Sequence, residues 1–346
     1  MTVAANIMDI KGAGLQSPSM TIVLCIESGV LEKLSLRMVE SLRRFGGRFA
    51  NVEVVAVTPR ISPPLARSTS RRMAELGIVH LQVRPKSGYA WHHYVGKVEA
   101  IAAVEARATT DEICWVDSDI LFLNEPDGLE LGPHADFAAA ASDTGVIGSH
   151  GPSDPNDPFW QRAAAEIGLK IDDLPWLTTN DGHHIRFYWN AGFFVYRRKT
   201  GFGRVFLELL RKLLDDHVAS THSQVHLLDQ VVLGLTVLKM GLAWKALPVA
   251  LNHPVGGDLM DEFDAEKLRG VSVLHFHDAM GPKLWPLLMS VLKTSHPMAY
   301  DWLEPQGPIA SRWDLARVQR EALRAFRGVT RRMYYERSNI HRTRRR

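Results

Sequence analysis

Cysteine is almost missing from these 346 residues. Only Cys25 and Cys114 occur, each inside an apolar run, which excludes a disulfide scaffold and reads as two reduced core residues. Uninterrupted apolar stretches are missing too. The longest, residues 231–251, is broken by Lys239, Gly241, Lys245 and Pro248, short of the roughly 20 consecutive apolar residues that a spanning helix needs. Residues 1–20 carry a single basic residue, Lys11, and no long apolar core, so they read as a loose tail rather than a signal peptide. The expected location is therefore cytoplasmic. Neither sign of charge dominates, with 41 Lys and Arg against 38 Asp and Glu. With 46% hydrophobic and 23% charged residues, wholesale disorder is excluded and a sizeable core is expected.

What the chain does have is an uneven distribution of that charge. Residues 312–346 hold twelve Arg, no Lys and three acids, a local charge of +9, which leaves the other 311 residues at −6. An acidic body with a basic end suits a tail that meets an anionic surface.

Residues 21–26 form a short β-branched run, and Leu31, Leu34, Met38, Leu42 and Phe45 then recur at helical spacing. The alternation continues. Strands are expected over 52–57, 78–83 and 112–116, with helices over 65–76 and 95–106 between them, which argues for a mostly parallel sheet covered on both faces. Later strands are expected over 135–142, 190–196 and 271–276, and helices over 205–214 and 227–239. Residues 143–187, rich in Gly, Pro, Asp and His, read as a long loop. The expected organisation is a tail (1–20), a catalytic domain (21–300) and a basic helix with a terminal tail (301–346).

The segment Ile113-Cys114-Trp115-Val116-Asp117-Ser118-Asp119 ends a buried strand on two carboxylates one residue apart. At the carboxyl edge of a parallel sheet such a pair faces the ligand crevice, and hard divalent cations take oxygen ligands of this kind. Alone the pair is a weak signal. Four more segments stand with it: Lys97 at the start of a helix, Trp189-Asn190-Ala191-Gly192-Phe193, Leu228-Asp229-Gln230, and His275-Phe276-His277 followed by Lys283 and Trp285. In this order and spacing, over about 190 residues, the sequence resembles the GT-A glycosyltransferases of the glycogenin and lipopolysaccharide galactosyltransferase group.

That resemblance implies a Rossmann-like mixed sheet flanked by helices, and a metal-dependent enzyme that takes a sugar from a nucleotide-diphosphate donor, UDP-linked in the first instance, with retention of configuration. Asp117 and Asp119 would hold manganese or magnesium, with His277 or His275 as a third ligand. The Lys283 and Trp285 spacing selects His277, and the His-aromatic pair selects His275. Lys97, Ser118, Ala191, Gly192, Gly281 and Lys283 would line the donor, and Asn190, Asp229, Gln230 and Lys283 would act at the transferred sugar. Gly281 stands one place late for the family pattern and Leu284 replaces its proline. The rings of Tyr89, Trp91 and Tyr94 would lie beside the base or serve as packing. Were the enzyme inverting, Asp143 or Asp181 would be its base. The acceptor would be a carbohydrate or a lipid-linked hydroxyl. A sugar-nucleotide pyrophosphorylase is disfavoured because Glu27-Ser28-Gly29-Val30 stands where its glycine-rich basic loop belongs, and a non-catalytic sugar-nucleotide-binding protein is the other alternative.

In the basic end, Leu315, Val318, Ala322, Phe326, Val329 and Met333 step by three and four, and Arg317, Arg320, Arg324, Arg327 and Arg331 do so two residues out of phase. The stripes occupy opposite faces of one helix. Two placements follow: at an anionic membrane surface, or with the apolar stripe packed on the body and the arginines in water. Nucleic acid is disfavoured by the acidic body.

Overall fold

The computed structural model describes residues 18–84, 88–142, 146–179, 182–310, 316–338 and 340. Asp143, Asp181, Leu315 and the arginines at 342 and 344–346 lie outside them.

The first half alternates as the periodicity requires. Strand β1 (Met20–Cys25) leads into α1 (Val30–Phe45), β2 (Glu53–Thr58) into α2 (Arg67–Glu75), and β3 (Ile78–Gln82) into α3 (His93–Glu105) and β4 (Glu112–Val116). Parallel pairs join β4 to β1, β1 to β2 and β2 to β3. Period-two alternation divides the buried β4 residues between two cores: Ile113 and Trp115 face one and Cys114 and Val116 the other. A short strand β5 (Ile120–Phe122) and β6 (Phe137–Ala141) follow.

Residues 143–187, expected as a long loop, instead carry α4 (Asp157–Glu166) and a hairpin of β7 (Trp176–Thr178) and β8 (His184–Arg186). Pro158 stands in the first turn of α4, where its missing N–H leaves no bond unmade. A buried ion pair ties the hairpin to that helix, with Arg186 Nε 2.7 Å from Asp157 Oδ1.

The long strand β9 (Trp189–Arg197) inserts antiparallel between β4 and β6. After it come α5 (Phe202–Asp215), α6 (His222–His226), α7 (Leu228–Lys239) and β10 (Trp244–Ala246), which completes a seven-stranded sheet in the order β10-β6-β9-β4-β1-β2-β3. Next are β11 (His253–Pro254), α8 (Ala265–Leu268) and β12 (Val273–His275), then α9 (Trp285–Ser295), α10 (Pro297–Leu303) and α11 (Ala316–Arg337). Strand β12 pairs with β5 immediately after the Asp-x-Asp turn, and this second small sheet brings the late histidines to the edge of the first. The mixed, mostly parallel sheet flanked by helices is the architecture expected.

Helix α11 docks in the opposite sense to the packed-apolar-face expectation. Its arginines point inward: Arg320 Nη1 donates to Ser28 Oγ at 3.2 Å and Arg327 donates to the Ile61 carbonyl. Its apolar stripe points out, with Val318 and Phe326 each 67% exposed and Val329 and Met333 also exposed. The anchor is Tyr334, buried against Trp91, with its hydroxyl donated to the Leu214 carbonyl. An amphipathic pattern defines two faces but not which one finds a partner. Among the described residues no helix is long and apolar enough to cross a membrane.

Candidate active site

The carboxyl ends of β4 and β12, the amino end of β9 and the amino-terminal parts of α3 and α7 meet around a cavity of about 480 Å³. Its lining includes Lys97, Asp117, Asp119, Asn190, Ala191, Gly192, Asp229, Gln230, His275 and His277, ten of the residues singled out from sequence.

Antiparallel pairing of β9 against β4 sets the first contact, because the Asp117 N–H donates to the Gly192 carbonyl at 2.7 Å. Asp117 is then held on both oxygens. Trp115 Nε1 donates to Oδ1 at 2.8 Å, and the Lys97 ammonium stands 3.4 Å from Oδ2. Lys97 also donates to the Ala191 carbonyl at 3.0 Å and faces Asp229 Oδ2 at 3.3 Å. Burial works against its charge, but the two carboxylates overcome this and raise its pKa. Burial raises the pKa of Asp117, against the pull of Lys97 and with the help of Asp119.

Asp119 lies on the other side. His275 Nε2 is 3.5 Å from its Oδ1, and the His275 and His277 rings stack with centroids 4.1 Å apart. The question of which histidine faces the carboxylate has a geometric answer: both do, since ligand atoms of Asp119, His275 and His277 all lie within 4.8 Å of one another. Strand β12 ends at His275, and His277 adopts a left-handed φ of 43° that turns its ring back over its neighbour. Burial disfavours the Asp119 charge, yet the two imidazoles bring its pKa down to about 2. His275 Nδ1 lies 3.2 Å from Asn252 Oδ1, which holds the ring with Nε2 toward the cavity.

Gly192 is required by close approach. A Cβ there would lie 2.5 Å from His275 Cε1 and 3.1 Å from Asp117 Oδ2, so any side chain would fill the space between His275 and Asp117. Deeper in the cavity the Asp229 carboxylate is 1% exposed. It has the Lys97 charge beside it, but neither oxygen has a hydrogen bond of good geometry among the described residues, and Gln230 Oε1 has none either. Buried acceptors left open at a cavity wall suit the hydroxyls of a polyol.

Three expected residues stay off the cavity wall. Ser118 and Gly281 are outside its lining, and Lys283 is exposed. Of the ring-rich loop only Tyr94 reaches the cavity, where Lys97 Nζ stands 4.8 Å from its ring centre, whereas Tyr89 and Trp91 pack against Tyr334 of α11. Packing is thus the correct reading for those two. Sequence reasoning missed His226, residues 256–259 and Asp278, whose Oδ1 accepts from the Gly257 N–H at 2.9 Å. The pair Gly256-Gly257 before Asp258 was the available signal.

The Rhodobacterales glycosyltransferase domain matches residues 22–241, from β1 to the end of α7. The chain belongs to this family. It is a glycosyltransferase, and the family match takes in Lys97, both aspartates, Asn190, Asp229 and Gln230, whereas His275, His277 and α11 lie beyond it. No curated protein sequence matches the chain. Among solved structures, mouse xyloside xylosyltransferase 1 in its apo form is similar at 13% identity and a TM-score of 0.46, covering 75% of this chain and 97% of that one. The glycosyltransferase GlyE of Streptococcus pneumoniae gives 14% and 0.48, covering 84% and 65%, and the galactosyltransferase LgtC with donor and acceptor sugar analogues gives 16% and 0.47, covering 78% and 96%.

Proposed function

We propose that this glycosyltransferase moves a sugar from a nucleotide-diphosphate donor, UDP-linked in the first instance, to a hydroxyl of a glycan or lipid-linked acceptor, with retention. The observation that carries this reading is the convergence of Asp119, His275 and His277 at one end of a cavity whose other end holds the open acceptors of Asp229 and Gln230.

The donor set fits a divalent ion. One carboxylate and two imidazoles within mutual reach suit manganese better than magnesium, because magnesium strongly prefers oxygen. Asp119, His275 and His277 would hold the ion, with Asp117 beside them. When bound, it would supply positive charge to the leaving diphosphate. The chain's own residues do the rest. Lys97 fixes Asp117 and Asp229 in place, Asp229 and Gln230 accept hydrogen bonds from hydroxyls of the transferred sugar, and the Asn190 amide borders the same space. Lys283, on the exposed loop after β12, would have to swing inward to reach a phosphate. In the transfer the bond from the anomeric carbon to the phosphate oxygen breaks, a bond to the acceptor oxygen forms on the same face, and the acceptor proton goes to the departing phosphate.

A thermal-shift comparison of UDP, GDP and CDP with and without manganese tests the donor assignment. A manganese-dependent rise with UDP, lost in Asp119→Asn, supports it. No shift with any of the three contradicts it.

The exposed apolar stripe of α11, bordered by Arg332, further supports peripheral contact with an anionic membrane, which would bring the enzyme to a lipid-linked acceptor.

A further inference from the structure

A second cavity, of about 970 Å³, lies between the start of α1, the loop after β2, the start of α2 and the inward face of α11. Eight Lys or Arg side chains line it, against three carboxylates. Those carboxylates are already engaged. Glu27 pairs with Arg60 at 2.5 Å, Glu32 accepts the N–H groups of Gly29 and Ala66 at 2.9 and 2.8 Å, and Glu321 pairs with Arg324 on its own helix at 3.0 Å. Arg72 is held by Glu40 and Glu75 on the rim. Among the described residues no carboxylate pairs with Lys33, Arg317 or Arg331.

Gathering like charges is unfavourable, and its local effects are visible. Burial and the neighbouring Arg60 both lower the pKa of Arg327. His93, on the same wall, is held down to about 4 by burial and then by Arg60, with Arg331 also contributing. Helix α11 turns its arginines rather than its apolar stripe to the body, and among the described residues the charges of Lys33, Arg317 and Arg331 are left without a carboxylate there. Guanidinium groups converging from one helix onto the first turn of another form a site for a multivalent oxyanion, because phosphate oxygens accept forked N–H pairs and the amino end of α1 adds favourable dipole. The volume exceeds what one phosphate needs.

We propose that this cavity binds a phosphate-bearing anion of pyrophosphate size or larger, and that the bound anion fastens α11 to the catalytic body. The site stands beside the donor cavity: His93 lines the cationic cavity, His226 lines the donor cavity, and their rings are 6.5 Å apart. A phosphorylated acceptor and a free phosphate effector share this chemistry. The inference does not depend on the metal and donor assignment.

Inorganic pyrophosphate is the probe, with EDTA present to keep metal from the donor site. Calorimetry at 0.15 M salt should give saturable binding, and hydrogen exchange should slow across residues 28–33 and 316–337. Arg320→Gln with Arg327→Gln should weaken binding at least tenfold. Since that pair also contacts Ser28 and Ile61, Lys33→Gln with Arg331→Gln is the second variant. It leaves the docking bonds intact and should weaken binding about fivefold. No saturable binding at millimolar pyrophosphate, protection confined to 117–119 and 275–277, or affinity unchanged in both variants would each overturn the proposal. Comparing a phosphorylated sugar acceptor with its unphosphorylated form separates the sources. A KM that rises in Lys33→Gln/Arg331→Gln for the phosphorylated form alone supports the site and assigns it to the acceptor. A pyrophosphate effect on kcat, equal for both acceptors, supports the site and assigns it to an effector.

Discussion

The Lys97 ammonium lies 3.3 Å from the Asp229 carboxylate, joining the second turn of α3 to the first turn of α7 beneath the cavity lined by Asp117 and Asp119. Both groups are nearly inaccessible, and since Lys97 is also paired with Asp117 it is the Asp229 charge that is not tolerable alone. The Lys97→Met variant should lose about 3–5 kcal/mol of stability, the range for breaking a buried pair from one side. Adding Asp229→Leu should restore part of that stability while leaving turnover absent. Chemical denaturation of the single and double variants checks this, and equal stability of Lys97→Met and the parent contradicts it.

Gly192 separates His275 from Asp117. In Gly192→Ala the added carbon meets the imidazole, so His275 must turn away from Asp119. The expected cost is about 1–3 kcal/mol, typical of an overpacked site. Manganese affinity should fall far more than this suggests. Titration of manganese by its paramagnetic signal reads the change, and an affinity within twofold of the parent would show that His275 is not placed by this contact.

Two buried histidines outside the cavity lining predict a pH dependence. His92 Nε2 lies 2.7 Å from the Val225 carbonyl while its Nδ1 accepts the Tyr94 N–H, and His296 Nε2 lies 2.9 Å from the Val271 carbonyl. A carbonyl can only accept and Nδ1 of His92 is already an acceptor, so the neutral ring with Nε2–H fits. Burial lowers both pKa values. The unfolded chain therefore binds more protons just below about pH 6.5, and stability should decline as pH falls from there toward the folded-state values. Urea unfolding at pH 7.5, 6 and 5 should show this decline, with a shallower slope in His296→Asn. A flat profile contradicts it.

The outward stripe of α11 makes a separable prediction. Phe326→Asp with Val329→Asp should abolish co-sedimentation with vesicles of anionic phospholipid and leave transfer to a soluble acceptor within twofold of the parent. Both residues are exposed, so the fold does not need them. Failure of the parent to co-sediment at all would remove the membrane contact.

Most of the cavity was legible because its residues sit on regular elements. Asp117 and Asp119 follow a buried strand, Lys97, Asp229 and Gln230 lie near the starts of helices, and Asn190 to Gly192 begin a strand marked by the run Phe193 to Tyr196. What was illegible depends on contacts between distant segments. Asp278 and residues 256–259 enter the wall only because β11 and β12 pair in a second sheet, and no periodicity marks strands of two and three residues. Trp91 and Tyr89 carry the chemistry of base-stacking residues, yet Tyr334, over 240 positions later, takes them for the core. The orientation of α11 was undetermined for the same reason, since hydrogen bonds to Ser28 and Ile61 decide which face turns inward.

The central claim is that Asp119, His275 and His277 form a metal-dependent donor site. Its most direct test is release of UDP from UDP-glucose and UDP-galactose by the full chain, with manganese and then with EDTA, for the parent, Asp119→Asn and His277→Ala. The account predicts release in the parent that needs manganese, at least a hundredfold loss in Asp119→Asn, and a loss in His277→Ala that high manganese partly restores. Release that persists in EDTA, or that both variants retain, would contradict it.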